Sequence, residues 1–192
     1  MKKSLGAKTL VYPTPVLVVC TYDEEGTPNA MTAAWGGICC SSPPCVAVSL
    51  RKATSTYGNL LAKKAFTVNI STENYIREVD YFGIVSGKKE NKFAKTGLTP
   101  VKSDLVDAPY IKEFPVNLEC KIINVTELGL HTQFIGEVID AKIDDDLLEK
   151  GDQPVIEQIK PLIYAPDSRG YYAIGKQIAQ AFSIGNELGK GI

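Results

Sequence analysis

The sequence predicts an all-β fold with a few helices, built on an antiparallel sheet or barrel rather than a doubly wound parallel sheet. Three observations predict it. The apolar runs are short, rich in β-branched residues and spaced at hairpin distance. Helix-period segments do not alternate with each strand. Turn residues (Gly, Pro, Asp, Ser) sit between neighbouring runs. The chain has 192 residues, of which 44% are hydrophobic and 22% charged. These values fit one globular domain over residues 1–192, with a tail from about residue 176.

Val16 to Tyr22 is a β-branched apolar run, bounded by prolines before and by Asp23-Glu24-Glu25-Gly26 after, and reads as a buried strand and turn. Pro28 to Trp35 follows as its antiparallel partner. Gly36 to Pro44 reads as a loop, and Cys45 to Leu50 as a strand. From Ala53 to Lys64 the period changes to helical, with Thr54, Ser55 or Thr56 as N-cap. Ala65 to Ile70 returns to strand. Glu73 to Phe82 reads as a short helix, Gly83 to Lys89 as a loop, and Glu90 to Lys95 as a further helical turn. Val116 to Val125 and Phe134 to Ile143 read as two long strands of a hairpin, followed by the polar connection Asp144 to Asp152. Leu162 to Ala165 and Tyr171 to Ile174 flank the turn Pro166-Asp167-Ser168-Arg169-Gly170. Lys176 to Leu188 is expected to form a last helix.

Composition removes several function classes. Lys plus Arg is 21 against 22 for Asp plus Glu, so there is no global basic field and no electrostatic warrant for nucleic-acid binding. No apolar stretch approaches the roughly 20 residues that span a bilayer, and Pro13 and Pro15 interrupt any leader-like run, so a soluble cytoplasmic protein is expected. Five cysteines, an odd count, argue against a disulfide framework. Cys39, Cys40 and Cys45 lack zinc-site spacing, the single histidine excludes a His-rich centre, and no metal is expected. Adjacent Cys39 and Cys40 read as small apolar loop residues, with thiol redox work as the other reading. Neither a dinucleotide-binding glycine fingerprint nor a P-loop is present.

The strongest local signal is Ser49-Leu50-Arg51-Lys52-Ala53-Thr54-Ser55-Thr56. A strand ends, a cationic pair follows, and three hydroxyls stand where a helix begins. Amides at a helix start attract anions, and a guanidinium binds phosphate through two parallel hydrogen bonds. The same hydroxyls serve equally as plain caps. In Asn29-Ala30-Met31-Thr32-Ala33-Ala34-Trp35, small residues around Thr32 allow a flat ring close to the backbone, while Trp35 also suits a core. His131 reads as a structural residue or as a ligand contact. Ser86-Gly87-Lys88 with Asn91-Lys92-Phe93 forms a donor-rich loop.

Taken in order, these segments resemble the flavin reductase-like family, nearest its flavoredoxin branch, from about residue 12 to about residue 175. The carrying residues include Tyr12-Pro13-Thr14-Pro15, Asn29 to Trp35, Ser42-Pro43-Pro44, Ser49-Leu50-Arg51 with Thr54, and Phe66-Thr67-Val68-Asn69. Asp80-Tyr81-Phe82-Gly83, Lys92-Phe93, Gly129-Leu130-His131 and Phe134-Ile135-Gly136-Glu137 complete the series. The chain departs from the family at Lys52, where an aromatic residue is frequent, and at Asn91, where Asp is frequent. The resemblance implies an FMN-binding split β-barrel of antiparallel Greek-key type, working as a homodimer with sites near the subunit interface.

The resemblance also assigns roles. Thr32, Ala33, Ala34 and Trp35 would face the isoalloxazine of FMN, mostly through backbone groups, and Ser49 and Leu50 would lie against ring and ribityl chain. Arg51, Thr54, Ser55 and Thr56 would take the phosphate, and Asn29, Asn69, Lys92 and His131 would complete the pocket. His131 or Lys92 would favour the reduced, anionic ring. The implied activity is that of an NAD(P)H-dependent flavin reductase acting through bound FMN, an oxidoreductase needing no metal, general acid or nucleophile from the chain. The alternatives are a flavoredoxin-type electron-transfer protein fed by a protein partner, and a non-catalytic ligand-binding barrel.

Overall fold

The computed structural model describes residues 1–190. The chain begins with β1 (Thr14–Pro15) and β2 (Leu17–Tyr22) and reverses into β3 (Pro28–Ala33). That reversal is held by the Thr27 N–H donating to Asp23 Oδ1 at 2.7 Å, and it needs Gly26, whose φ of +83° lies in the left-handed region. A second hairpin, β4 (Gly36–Ser41) and β5 (Pro44–Arg51), leads through α1 (Ser55–Lys63) to β6 (Ala65–Ile70). A 3-10 turn (Glu73–Tyr75), α2 (Ile76–Ile84), α3 (Lys92–Thr96), β7 (Pro100–Lys102) and β8 (Pro109–Ile111) come next. The long hairpin is β9 (Val116–Leu128) and β10 (His131–Ile143). After a 3-10 turn (Asp145–Leu147), the chain adds β11 (Leu148–Glu149), β12 (Gln153–Pro154), α4 (Ile156–Ile159), β13 (Ile163–Ala165) and β14 (Gly170–Tyr172).

Seven strands form one sheet in the order β3-β2-β6-β9-β10-β5-β4, and every neighbouring pair is antiparallel. β1, β13 and β14 make a separate small sheet beside it. The strand β2 explains why its sequence shows no polar alternation: both of its faces are covered. Leu17 and Val19 enter one cluster with Val48, Leu50, Phe66 and Phe134. Val16 and the alternate residues Val18 and Cys20 enter the other, with Val79 and Phe82 of α2 and Phe93 of α3. The first cluster packs on one side of β2, and the second joins α2 and α3 to its other side. α2 is thereby fixed across β3, where the Thr32 hydroxyl donates to the Val79 carbonyl at 2.5 Å.

Two expectations need correction. Gly36 to Pro44 is not a loop: Gly36–Ser41 is the edge strand β4, and a two-residue turn at Ser42-Pro43 joins it to β5. Its residues are half-buried or exposed throughout, so no hydrophobic period marks it. Gly36 is required there, because a Cβ would lie 2.6 Å from the Ala47 carbonyl oxygen and 2.9 Å from Leu17 Cδ1. The expected last helix over Lys176 to Leu188 is also absent as such; a 3-10 segment spans Ile184–Lys190 instead. Residues 191–192 of the tail lie outside the described residues. Among the described residues, no helix is long and apolar enough to cross a membrane.

Candidate functional site

A cleft of about 410 Å³ opens where the end of β3, the start of β10 and the end of β5 meet the C-terminal turn of α2. Thr32, Ala33, Ala34 and Trp35 form one wall, Ser49, Leu50 and Arg51 another, and His131 closes the side next to Arg51, its register partner on β5. The Trp35 and His131 rings are stacked, with centroids 6.3 Å apart and planes 3° from parallel. The Ser49 N–H donates to the Trp35 carbonyl at 2.7 Å and ties the two walls together. Since the Thr32 hydroxyl is engaged by Val79, Thr32 offers this cleft chiefly its backbone.

A second recess of about 350 Å³ continues from the first and shares Met31, Arg51, Thr54, Gly83 and Ile84 with it. Its lining adds Asn29, Ser55, Thr56, Ser86, Gly87 and Lys92. Both spaces are lined largely by apolar surface, and the second adds the Lys92 ammonium to the Arg51 guanidinium they share. The start of α1 forms its edge. Thr54 is the cap: its hydroxyl accepts from the Tyr57 N–H at 3.3 Å and donates to the Arg51 carbonyl at 2.9 Å. The ambiguity between capping and anion binding therefore resolves differently for each hydroxyl. Thr54 is fully engaged as a cap. Ser55 Oγ lies 3.4 Å from Ser86 Oγ across the recess. Thr56 accepts from Asn29 Nδ2 at 2.9 Å, which leaves its own hydrogen free to donate. The first-turn amides of α1 have no partner inside the helix.

Lys92 is the strongest feature of this recess. The residue is 3% exposed, and its ammonium donates to the Ala30 carbonyl at 2.7 Å and the Phe82 carbonyl at 2.9 Å. The second of these caps the C-terminal turn of α2, where carbonyls lack helical partners. An ammonium has three hydrogens, and among the described residues no carboxylate pairs with Lys92. Burial pulls its pKa from 10.5 down to about 8. A desolvated cation without a counter-charge, lining a recess, is set to receive an anion. Arg51 is exposed at the junction of the two spaces and likewise has no ion-pair partner among the described residues. Asn29 Oδ1 is buried without any donor.

One expected site residue falls elsewhere. Asn69 is fully buried on β6, where its amide donates to the Val18 carbonyl and Thr67 Oγ1 and its oxygen accepts from the Ile111 N–H. It fastens β8 to the sheet and lines neither space. The structure brings the other thirteen together: Asn29, Thr32, Ala33, Ala34, Trp35, Ser49, Leu50, Arg51, Thr54, Ser55, Thr56, Lys92 and His131. It adds residues that sequence reasoning missed. Gly83, in the last turn of α2, lines both spaces and faces Thr32, whose Cβ an added Cβ would meet at an ordinary 3.5 Å. The sequence placed Gly83 at the start of a loop, and its only signal was a glycine at the end of a helical segment. Asp80, Tyr164, Arg169 and Tyr171 line the mouth. The Tyr171 hydroxyl donates to Asp80 at 3.0 Å, and burial beside that carboxylate pushes the phenol's pKa up. Nothing local in the sequence joins Asp80 to Tyr171.

The flavin reductase like domain matches residues 9–175. The flavoredoxin of Desulfovibrio vulgaris (Miyazaki F) is 55% identical, with a TM-score of 0.92 over 96% of this chain and 100% of that one. A flavoredoxin from Methanosarcina acetivorans is 27% identical, with a TM-score of 0.91 over 98% and 99% of the two chains. An uncharacterised protein of Archaeoglobus fulgidus is 35% identical over 129 residues, which are 67% of this chain and 72% of that protein.

Proposed function

The chain belongs to the flavin reductase-like domain family, in its flavoredoxin branch, and from that premise we propose that it is an FMN-binding oxidoreductase whose phosphate anchor is the recess around Lys92 and Arg51. The observation that carries the reading is the buried, unpaired Lys92 ammonium in a recess that adjoins a mostly apolar slot. A slot suits a ring, and a cation behind it suits a phosphate. The remaining donors fit the same group. Thr56 has a hydroxyl hydrogen to give, Ser55 and Ser86 stand opposite one another, and the recess lies at the start of α1, the end of a helix that attracts anions. The orphaned Asn29 Oδ1 is an acceptor, matched to the hydroxyl of a polyol chain between ring and phosphate.

FMN would supply reversible electron uptake, and the protein its position and electrostatic setting. The backbone of Thr32 to Trp35 holds one edge of the slot rigid, because Ser49 and Val79 tie it from both sides. His131, stacked on Trp35, places its imidazole ring at the slot's rim. Arg51 and Lys92 hold the anionic end, so the slot is left to the ring. NAD(P)H is the first donor to consider. The 55% identity to a flavoredoxin favours a second reading, in which electrons come from a redox protein. A homodimer and a cytoplasmic setting complete the proposal. The exposed apolar side chains Ile38, Ile178 and Phe182 support the first, and five unpaired cysteines support the second.

The test is the visible spectrum of the purified protein, before and after anaerobic addition of NADH or NADPH. An FMN spectrum is expected. Rapid bleaching assigns a nicotinamide donor, and persistence of colour assigns a protein donor. A colourless protein that takes up no added FMN overturns the flavin reading. Sedimentation as a monomer overturns the dimer.

A further inference from the structure

Three of the five cysteines lie together at the tip of the β4–β5 hairpin, and the proposed flavin chemistry uses none of them. Cys40 and Cys45 are direct cross-strand partners in the β4–β5 register. Side chains of directly opposed residues leave the same face of the sheet, with Cα atoms roughly 4.5–5.5 Å apart, inside the roughly 4.4–6.8 Å window that a disulfide spans. Their thiols converge on one turn: Cys40 Sγ donates to the Ser42 carbonyl and Cys45 Sγ to the Pro43 carbonyl, each at 3.4 Å. The register shift between Ile38 and Cys40 leaves Cys39 without a direct partner on β5. Cys40 is exposed, whereas Cys45 is 4% exposed. Burial and the nearby sulfurs of Cys40 and Cys39 push the Cys45 thiol's pKa up. Among the described residues, no group of three or more His, Cys, Asp or Glu side chains is arranged to hold a metal ion, so a metal centre does not account for this cluster.

We propose that Cys40 and Cys45 are a reversible dithiol–disulfide pair that closes the hairpin tip on contact with a small disulfide oxidant such as glutathione disulfide. The geometry assigns the order of events. The exposed Cys40 thiolate attacks one sulfur of glutathione disulfide, whose S–S bond breaks and releases one glutathione thiolate. The covered Cys45 thiolate then attacks Cys40 Sγ in the mixed disulfide and releases the second glutathione. Both thiol protons and two electrons leave the protein in two molecules of reduced glutathione, and excess reduced glutathione reverses the exchange. The register puts both side chains on one face of the hairpin, each thiol bonded to a carbonyl of the Ser42-Pro43 turn, so the pair is placed for closure by side-chain rotation. Cys20 and Cys120 are excluded from this chemistry: both are 0% exposed, with thiol pKa values pushed up by burial. The inference does not depend on flavin binding, because its readout is the state of the sulfurs.

The experiment equilibrates the whole protein in oxidised and reduced glutathione buffers, alkylates remaining thiols in acid-quenched samples, and reads intact and peptide masses. Oxidation is expected to remove about 2 Da, to map to a Cys40–Cys45 link, and to reverse with reduced glutathione. Cys39→Ser is expected to keep the link. Cys40→Ser, an exposed change that leaves the fold intact, is expected to remove it. Cys45→Ser is expected to leave Cys40 as a lasting mixed disulfide with glutathione. A Cys39–Cys40 link, a wild type that stops at the mixed disulfide, or a Cys40 and Cys45 that stay reduced in oxidised glutathione overturns the proposal.

Discussion

Lys92→Met tests the anion site most directly, because the structure fixes both its sign and its pH range. In the folded protein without ligand the Lys92 ammonium titrates near 8 rather than 10.5, held down by burial. The Cys20 thiol beside it is pushed up by burial, so it stays neutral over this range. A phosphate at Lys92 favours the charged form and raises that pKa again, so above pH 8 binding must take up a proton. Between pH 7 and pH 9 the protonated share falls from about nine-tenths to about one-tenth, so FMN affinity should weaken about tenfold. Lys92→Met removes the titration and the charge-assisted bond; at pH 7 affinity should fall by about 1.5–3 kcal/mol, and the pH dependence should flatten. Stability without ligand should move little. The variant loses two bonds to buried carbonyls, at about 1–3 kcal/mol each, but also a charge whose burial costs about 3 kcal/mol, judged from the pKa fall to about 8. In the wild type this lysine makes stability rise with pH between about 8 and 10.5, since the unfolded chain holds the proton longer there. The assay is equilibrium titration of the FMN-free protein by flavin fluorescence at pH 7, 8 and 9, with thermal melting beside it. A wild-type affinity that is flat across pH 7 to 9, or a Lys92→Met protein that keeps the tenfold fall, refutes the reasoning.

Arg51→Ala should weaken FMN binding by about 1.5–3 kcal/mol while leaving the melting temperature unchanged within error, since the side chain is exposed; unchanged FMN affinity would place the anion elsewhere. Asn69→Ala should do the reverse. It strips three buried hydrogen bonds and leaves the Ile111 N–H without its acceptor, so a loss of about 2–4 kcal/mol in denaturant unfolding is expected with FMN affinity intact once the protein is folded. Gly136→Ala should destabilise by about 1–3 kcal/mol, because its Cβ would lie 2.5 Å from the Phe66 ring and 3.0 Å from Cys120 Cβ inside the core; urea unfolding measures it.

The parts of this fold legible in sequence are those where local chemistry and burial agree. β2 announces itself because both faces are apolar, and the β9–β10 hairpin because its strands are long. The edge strand β4 was illegible for the opposite reason: Gly, Cys and Ser on an exposed edge carry no period of two. The site shows the same division. Arg51 and the α1 hydroxyls form one sequence-local signal, a strand end feeding a capped helix. Lys92 stood in a donor-rich segment, but its burial depends on α2 and β3 arriving from elsewhere, which no window reveals. Asn69 misled because a strand asparagine looks the same whether its amide faces a ligand or a neighbouring loop. Only the position of Ile111, 42 residues away, decides between them.

The two cations differ in a way that bears on how the site works. Arg51 is exposed and solvated without ligand, so bringing an anion to it exchanges water for phosphate. Lys92 is already stripped of water and held by two carbonyls, so the fold bears most of its desolvation before any ligand arrives. A phosphate placed there relieves an existing penalty, and the same free energy then appears as ligand-dependent stabilisation of the native state. Because Lys92 also caps the last turn of α2, whose Gly83 and Ile84 line both spaces, that relief is felt by the wall of the slot as well as by the anchor. Anchor and slot are therefore one mechanical unit, joined through a single side chain.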